Sequence, residues 1–246
     1  MMTETERTLR IELAACYRIF AYLGWDELIY NHITVKLPDT PNHFLINPYG
    51  LHYSEITASS LLKVDIMGNK IDESEYDANP AGMVIHSAIH AVRPDLHCIT
   101  HLHTNEGLAV ACSRTGLRHD NFYSVMLYNR VAYHDFEGLT VNDGEKQRLV
   151  QSLGQHSQLI LRNHGLLSGG ATIEEAFIAT WTLQRACEIQ VACDATGQAI
   201  IPISDEIGEK TEQLLAKQIG AAGLGQREYA AMRRLVEQHN PGFEDL

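Results

Sequence analysis

Cys98-Ile99-Thr100-His101-Leu102-His103-Thr104 is a short β-prone run that sets two histidines two residues apart. Side chains alternate along a strand with period two, so both imidazoles point to one face and Leu102 to the other. Two neutral imidazoles carried on one rigid strand make a claw for a divalent transition metal. A pair is half a site. Leu159-Ile160-Leu161-Arg162-Asn163-His164-Gly165, an apolar run ending in His-Gly, supplies a candidate third ligand at His164. His-x-His alone is a weak motif, and a chain with 13 histidines produces such pairs by chance. The third histidine at a strand end gives the pair its weight.

Outward from this run, the chain alternates β-prone and helical patterns. Leu9, Ile11, Leu13, Cys16, Ile19, Phe20 and Leu23 recur at helical spacing before Gly24, predicting a helix over about 5–23. Residues 31–38 alternate and are β-branched, reading as a strand closed by Pro38. A turn through Asp39-Thr40-Pro41-Asn42 joins it to a second strand, Phe44-Leu45-Ile46, as a hairpin. A helix over 82–92 is stopped at Arg93-Pro94, and another follows the claw over about 105–114. Phe122–Val125 and residues 130–133 read as short strands, 142–153 as a helix and 159–161 as a strand. A long helix over 173–195 is started by Thr172, with Glu174 and Glu175 in its first turn. Residues 211–219 and 227–239 are further helices. This order predicts an α/β three-layer sandwich, a central mostly antiparallel β-sheet flanked by helices. No linker or repeat interrupts it, so one domain over 1–246 is expected, with a helical C-terminal extension from about 205 to 246.

Composition narrows the function classes. The 246 residues are 45% hydrophobic and 20% charged, ordinary for a folded soluble chain. A net charge of -12 argues against nucleic acid and anionic membrane as partners, since both demand basic surface. No apolar run reaches the roughly 18 residues of a spanning helix, and the polar, acidic start predicts no signal peptide. The five cysteines are scattered and form no CxxC pair, which suits reduced thiols in a cytoplasmic protein. A metal would therefore be held by imidazole rather than thiolate.

Four stretches carry a resemblance to a known family. They are Phe44–Leu51, Asn79-Pro80-Ala81-Gly82 through His86-Ser87-Ala88-Ile89-His90, Arg93-Pro94-Asp95 with His101–Thr104, and Leu161–Leu166. Together they resemble the class II aldolase/adducin family over about residues 9–194, several of them closer to the adducin head than to the sugar-phosphate aldolases. The resemblance implies a zinc ion, with Mn2+ or Fe2+ as alternatives, on His101, His103 and His164. It also implies a small-molecule substrate and a homotetramer with sites at subunit contacts. Asn31 and Gly50 match phosphate contacts of the aldolases, with Tyr49 in place of a smaller neighbour of Gly50. The aldolase acid/base carboxylate, four positions before the match to His86, is replaced by Gly82, and the phosphate-holding serines by Pro80 and Ala81. Proton transfer would then fall to His86, Tyr123, Tyr128 or Glu106, Tyr123 lying near the match to a tyrosine that acts across a subunit boundary. The adducins' basic, lysine-rich tail has no counterpart before Leu246, so no membrane-skeleton partner is expected.

The expected activity is that of a divalent-metal-dependent lyase. It would act by aldol-type cleavage or decarboxylation of a small hydroxy-carbonyl or carboxylate compound, through a metal-stabilised enolate. The alternative is a non-catalytic, adducin-like oligomeric interaction module that retains the metal site.

Overall fold

The computed structural model describes residues 2–40, 42–138, 143–217 and 223–246. Pro41 of the expected hairpin turn, the expected helix start at Asn142 and the expected helix end at 218–219 lie outside the described residues. Helix α1 (Glu4–Leu23) is capped by the Thr3 hydroxyl, which accepts from the Glu6 N–H, and closed by Gly24 at φ 71°. Strands β1 (His32–Lys36), β2 (His43–Ile46) and β3 (Leu62–Asp65) follow, then α2 (Pro80–Val92), whose Asn79 cap accepts from the Ala81 N–H. Next come β4 (Cys98–Leu102), α3 (Asn105–Cys112), α4 (Phe122–Val125), β5 (Val131–His134), α5 (Asp143–Leu153), β6 (Gln158–Leu161) and β7 (Gly165–Gly170). Helices α6 (Ile173–Ala195), α7 (Asp205–Ala216) and α8 (Gln226–His239) complete the order.

The seven strands form one sheet in the order β3-β2-β1-β4-β7-β6-β5. Every pairing is antiparallel except β5 with β6. Alternation along the strands sorts the side chains into two cores. On one face, Ile99, Leu159, Leu161 and Leu167 pack with Ile85 and Ile89 of α2 and Leu149 and Leu153 of α5. On the other, Ile33, Val35, Leu45, Cys98 and Leu102 meet α1, α6 and α8 through Tyr17, Phe20, Phe177 and Val236. This is the expected three-layer α/β sandwich. Among the described residues no helix is long and apolar enough to cross a membrane.

Two elements differ from the sequence reading. Phe122–Val125 is a helical turn rather than a strand, because the Asn121 side chain accepts from the N–H groups of Tyr123 and Ser124 and nucleates it. Strand β7 has no predicted counterpart. Its sequence, Gly165-Leu-Leu-Ser-Gly-Gly, is poor in strand formers. Its glycines are packing requirements: a Cβ at Gly165 would sit 2.3 Å from the Leu102 carbonyl oxygen, and one at Gly170 2.5 Å from the Ala176 nitrogen of α6.

Candidate metal centre

His101 leaves β4 on the face covered by α2, and His103 follows two residues on, past the strand's last residue. His164 stands on the tight turn between β6 and β7. Asn163 makes that turn at φ 57°, a left-handed conformation that asparagine tolerates better than most residues. The His164 N–H donates to the Leu161 carbonyl (3.0 Å) and the Asn163 N–H to that of Ala111 (3.2 Å), anchoring the turn at the end of α3. Because β7 pairs with β4, this turn lies beside the end of the His101 strand.

The three rings converge. His101 Nε2 lies 2.8 Å from His103 Nε2 and 3.3 Å from His164 Nε2, and the ligand atoms of all three lie within 4.8 Å of one another. Nitrogens bound to one tetrahedral ion at about 2.0–2.1 Å stand about 3.3 Å apart. His101 Nδ1 lies 3.0 Å from the Leu166 carbonyl oxygen, which can only accept, so Nδ1 carries the proton and Nε2 presents its lone pair to the cluster. Burial pushes the His101 imidazole well below its usual pKa, His103 downward, and His164 to about 4; neighbouring imidazoles add to the effect at His101 and His164. All three are neutral at neutral pH. Three neutral imidazoles whose Nε2 atoms meet at one point, with the His101 lone pair facing the other two rings, are a donor set that fits a divalent metal.

The remaining residues singled out from the sequence distribute unevenly. Asn31 is buried beneath the claw: its Oδ1 accepts from the His103 N–H (3.1 Å), and its Nδ2 donates to the Trp25 carbonyl (3.0 Å). Tyr49 and Gly50 form an exposed turn, Gly50 at φ 112°, with the Tyr49 N–H donating to the Asp77 carbonyl. His86 is fully buried and bonds through both ring nitrogens to His32 and Thr34. Tyr123 packs edge-on against Trp181 of α6 (5.2 Å between centroids), in a core on the other side of the sheet. Glu106, in the first turn of α3, lies 3.5 Å from Nε2 of Gln184 on α6. The Tyr128 hydroxyl donates to Asp205 (3.2 Å) at the start of α7.

Sequence reasoning passed over His32. It sits directly opposite His101 in the β1–β4 register, with ring centroids 5.0 Å apart. The signal was present in Asn31-His32-Ile33-Thr34, where a polar residue alternates with apolar ones on a central strand. Phe136 also stands near the claw, its centroid 6.4 Å from that of His164.

Known proteins are similar to this chain in sequence and in fold. The family model for the class II aldolase and adducin N-terminal domain matches residues 11–191. Rat alpha-adducin is 48% identical over 189 residues, which is 76% of this chain and 26% of the adducin. A crystal structure of an aldolase II superfamily protein from Pseudomonas syringae superimposes with a TM-score of 0.93 at 40% identity, covering 99% of this chain and 97% of that one. L-fuculose 1-phosphate aldolase from Glaciozyma antarctica superimposes with a TM-score of 0.83 at 32% identity, over 95% and 90% of the two chains. On sequence and on fold alike, the chain belongs to the class II aldolase and adducin family.

Proposed function

We propose that the chain is a divalent-metal-dependent carbon–carbon lyase acting on a small hydroxy-carbonyl or carboxylate compound by aldol-type cleavage or decarboxylation. The observation that supports it most is the convergence of the ring nitrogens of His101, His103 and His164 on one point, with the His101 lone pair facing it. An interaction module gains nothing from such an arrangement. Zinc suits a set of three neutral imidazoles, and the bound ion would supply Lewis-acid polarisation of a ligand oxygen.

The chain's own residues supply the frame. Leu166 and Asn31 fix two claw positions from behind, one through the His101 ring and one through the His103 backbone. Gly82 offers no carboxylate, so proton handling belongs to groups other than the side chain at that position. Tyr123 packs on Trp181 of α6 on the other side of the sheet and Glu106 lies beside Gln184 of α6, and in this reading Tyr123 serves the claw of a second copy of the chain. This agrees with a homotetramer having sites at its subunit contacts.

The test is elemental analysis of the purified protein, followed by a screen of hydroxy-acids, keto-acids and sugar phosphates with the metal-loaded chain. One equivalent of zinc, manganese or iron, lost in His101→Ala, together with turnover of one compound class, supports the reading. Stoichiometric metal in His101→Ala sinks it. A second reading, a non-catalytic oligomeric interaction module, is favoured by the 48% identity to alpha-adducin. It predicts bound metal with no turnover of any compound in the screen.

A further inference from the structure

Position 82, the third residue of α2, has no side chain, and the ring of His32 stands in its place. A Cβ on Gly82 would lie 2.7 Å from Cδ2, 2.9 Å from Cγ and 3.0 Å from Nε2 of His32. His32 is the cross-strand partner of His101, its ring tilted 32° to the His101 ring at 5.0 Å. The wall beside the claw is therefore an imidazole.

That imidazole is oriented from behind by groups the claw does not use. His32 Nδ1 shares a hydrogen bond with His86 Nε2 (2.8 Å), His86 Nδ1 with Thr34 Oγ1 (2.6 Å), and Thr34 Oγ1 with His90 Nε2 (2.8 Å). All four residues are buried. A neutral imidazole has one N–H and one lone pair, and a hydroxyl has one hydrogen. The His32–His86 and His86–Thr34 bonds therefore run the same way along the chain, while Thr34 Oγ1, with two lone pairs, either donates to His90 Nε2 or accepts from it. Burial pushes His90 down to about 3 and His86 well below its usual value, and neutral rings are what this count requires. Two polarities of the His32–His86–Thr34 segment satisfy these bonds. In one, His32 Nε2 carries the proton, and in the other it carries the lone pair. Nε2 makes no hydrogen bond among the described residues, and it is not one of the sealed, unpartnered atoms of the interior. It is the free end of the chain.

Resting on the metal reading above, we infer that His32 replaces the side chain absent at position 82 and contacts the ligand: its Nε2 hydrogen-bonds an oxygen atom of a small oxygen-bearing chelate seated on the claw. A neutral Nε2 whose polarity can reverse donates to a carboxylate or carbonyl oxygen and accepts from a hydroxyl. That dual capacity matches a 2-hydroxycarboxylate or hydroxy-carbonyl compound.

The experiment loads the full chain with Co2+ and titrates it with glycolate, following the visible absorption of the cobalt. His32→Phe keeps the ring volume and removes both nitrogens. The expected result is cobalt affinity within twofold of the parent and glycolate binding at least fivefold weaker. Glycolate binding within twofold of the parent overturns the inference, as does a cobalt-loaded parent that binds no glycolate. A parent that takes up no cobalt overturns the metal reading itself, and is read in a separate arm. His32→Leu serves if His32→Phe does not fold. The shared space is tested without metal, by melting. Gly82→Ala is expected to lower the Tm by about 3–8 °C in the parent and by under about 1 °C in a His32→Ala background. Equal losses in both backgrounds refute the replacement.

Discussion

The backbone N–H of His103 donates to Oδ1 of Asn31 across 3.1 Å, tying the claw's second ring to the chain just before β1. The other end of the same amide donates to the Trp25 carbonyl at 3.0 Å, so one buried side chain fastens the end of β4 to the loop after α1. Asn31→Ala removes an acceptor from a part-buried N–H and a donor from a carbonyl. The expected cost is about 1–3 kcal/mol of stability in urea unfolding, together with metal binding weaker by roughly 10- to 100-fold in chelator competition, as for lost outer-shell partners. Unchanged metal affinity would restrict Asn31 to a role in the fold.

His164→Ala leaves two imidazoles, which cannot close a three-nitrogen site. Metal content after dialysis is expected to fall from one equivalent to below about a tenth, measured by elemental analysis. Chelator treatment of the parent should lower its Tm, because an ion that binds only the folded state stabilises it by mass action. A chelator should leave the Tm of His164→Ala where it was.

Acid should destabilise the protein well before its carboxylates titrate. His90 is buried against Thr34 and Phe44, away from the claw, and its pKa falls from 6.5 to about 3 on folding. Between those values the unfolded chain binds a proton that the native chain refuses. The His90 contribution is therefore fully present above pH 6.5 and is lost as pH falls from 6.5 toward 3, by about 1.4 kcal/mol per pH unit. His32 follows the same sign. Urea unfolding of metal-free protein from pH 7.5 to 4.5 should show this slope, and His90→Phe should reduce it by one proton's worth. A pH-independent midpoint over that range would refute the neutral histidine chain.

Gly165→Ala places a methyl group 2.3 Å from the Leu102 carbonyl oxygen, with the His103 ring 3.0 Å away on the same side. Backbone has to move on both strands. The expected loss is about 1–3 kcal/mol in thermal or urea unfolding, accompanied by weaker metal binding, because His103 and His164 flank the strained contact. A loss of stability with metal affinity intact would show that the turn accommodates the methyl group without shifting the claw.

The claw was legible because strand periodicity and a histidine at a strand end are local signals. His101 and His103 point to one face by alternation alone, and the run into His164 announced a strand end. The layer architecture followed from the alternation of β-prone and helical runs. Strand β7 was hidden because its glycines answer to Leu102 and α6, neighbours that no window of sequence contains. Phe122–Val125 was misread because three aromatic or branched residues, Phe122, Tyr123 and Val125, suggest a strand, whereas the Asn121 cap decides the matter. Gly82 read as the loss of a carboxylate. Only the fold shows an imidazole from a strand fifty residues earlier in that space, since pairing of β1 with β4 is a long-range fact.

The position of β7 between β4 and β6 has a bearing on how the protein is made. Two of the three claw rings leave the ribosome together, His101 on β4 and His103 just past its end, but the turn that carries the third comes into place only once β7 pairs with β4. A nascent polypeptide that stops before residue 164 owns a pair of imidazoles and no cage. An ion held by all three rings would therefore be captured only after β7 has paired with β4.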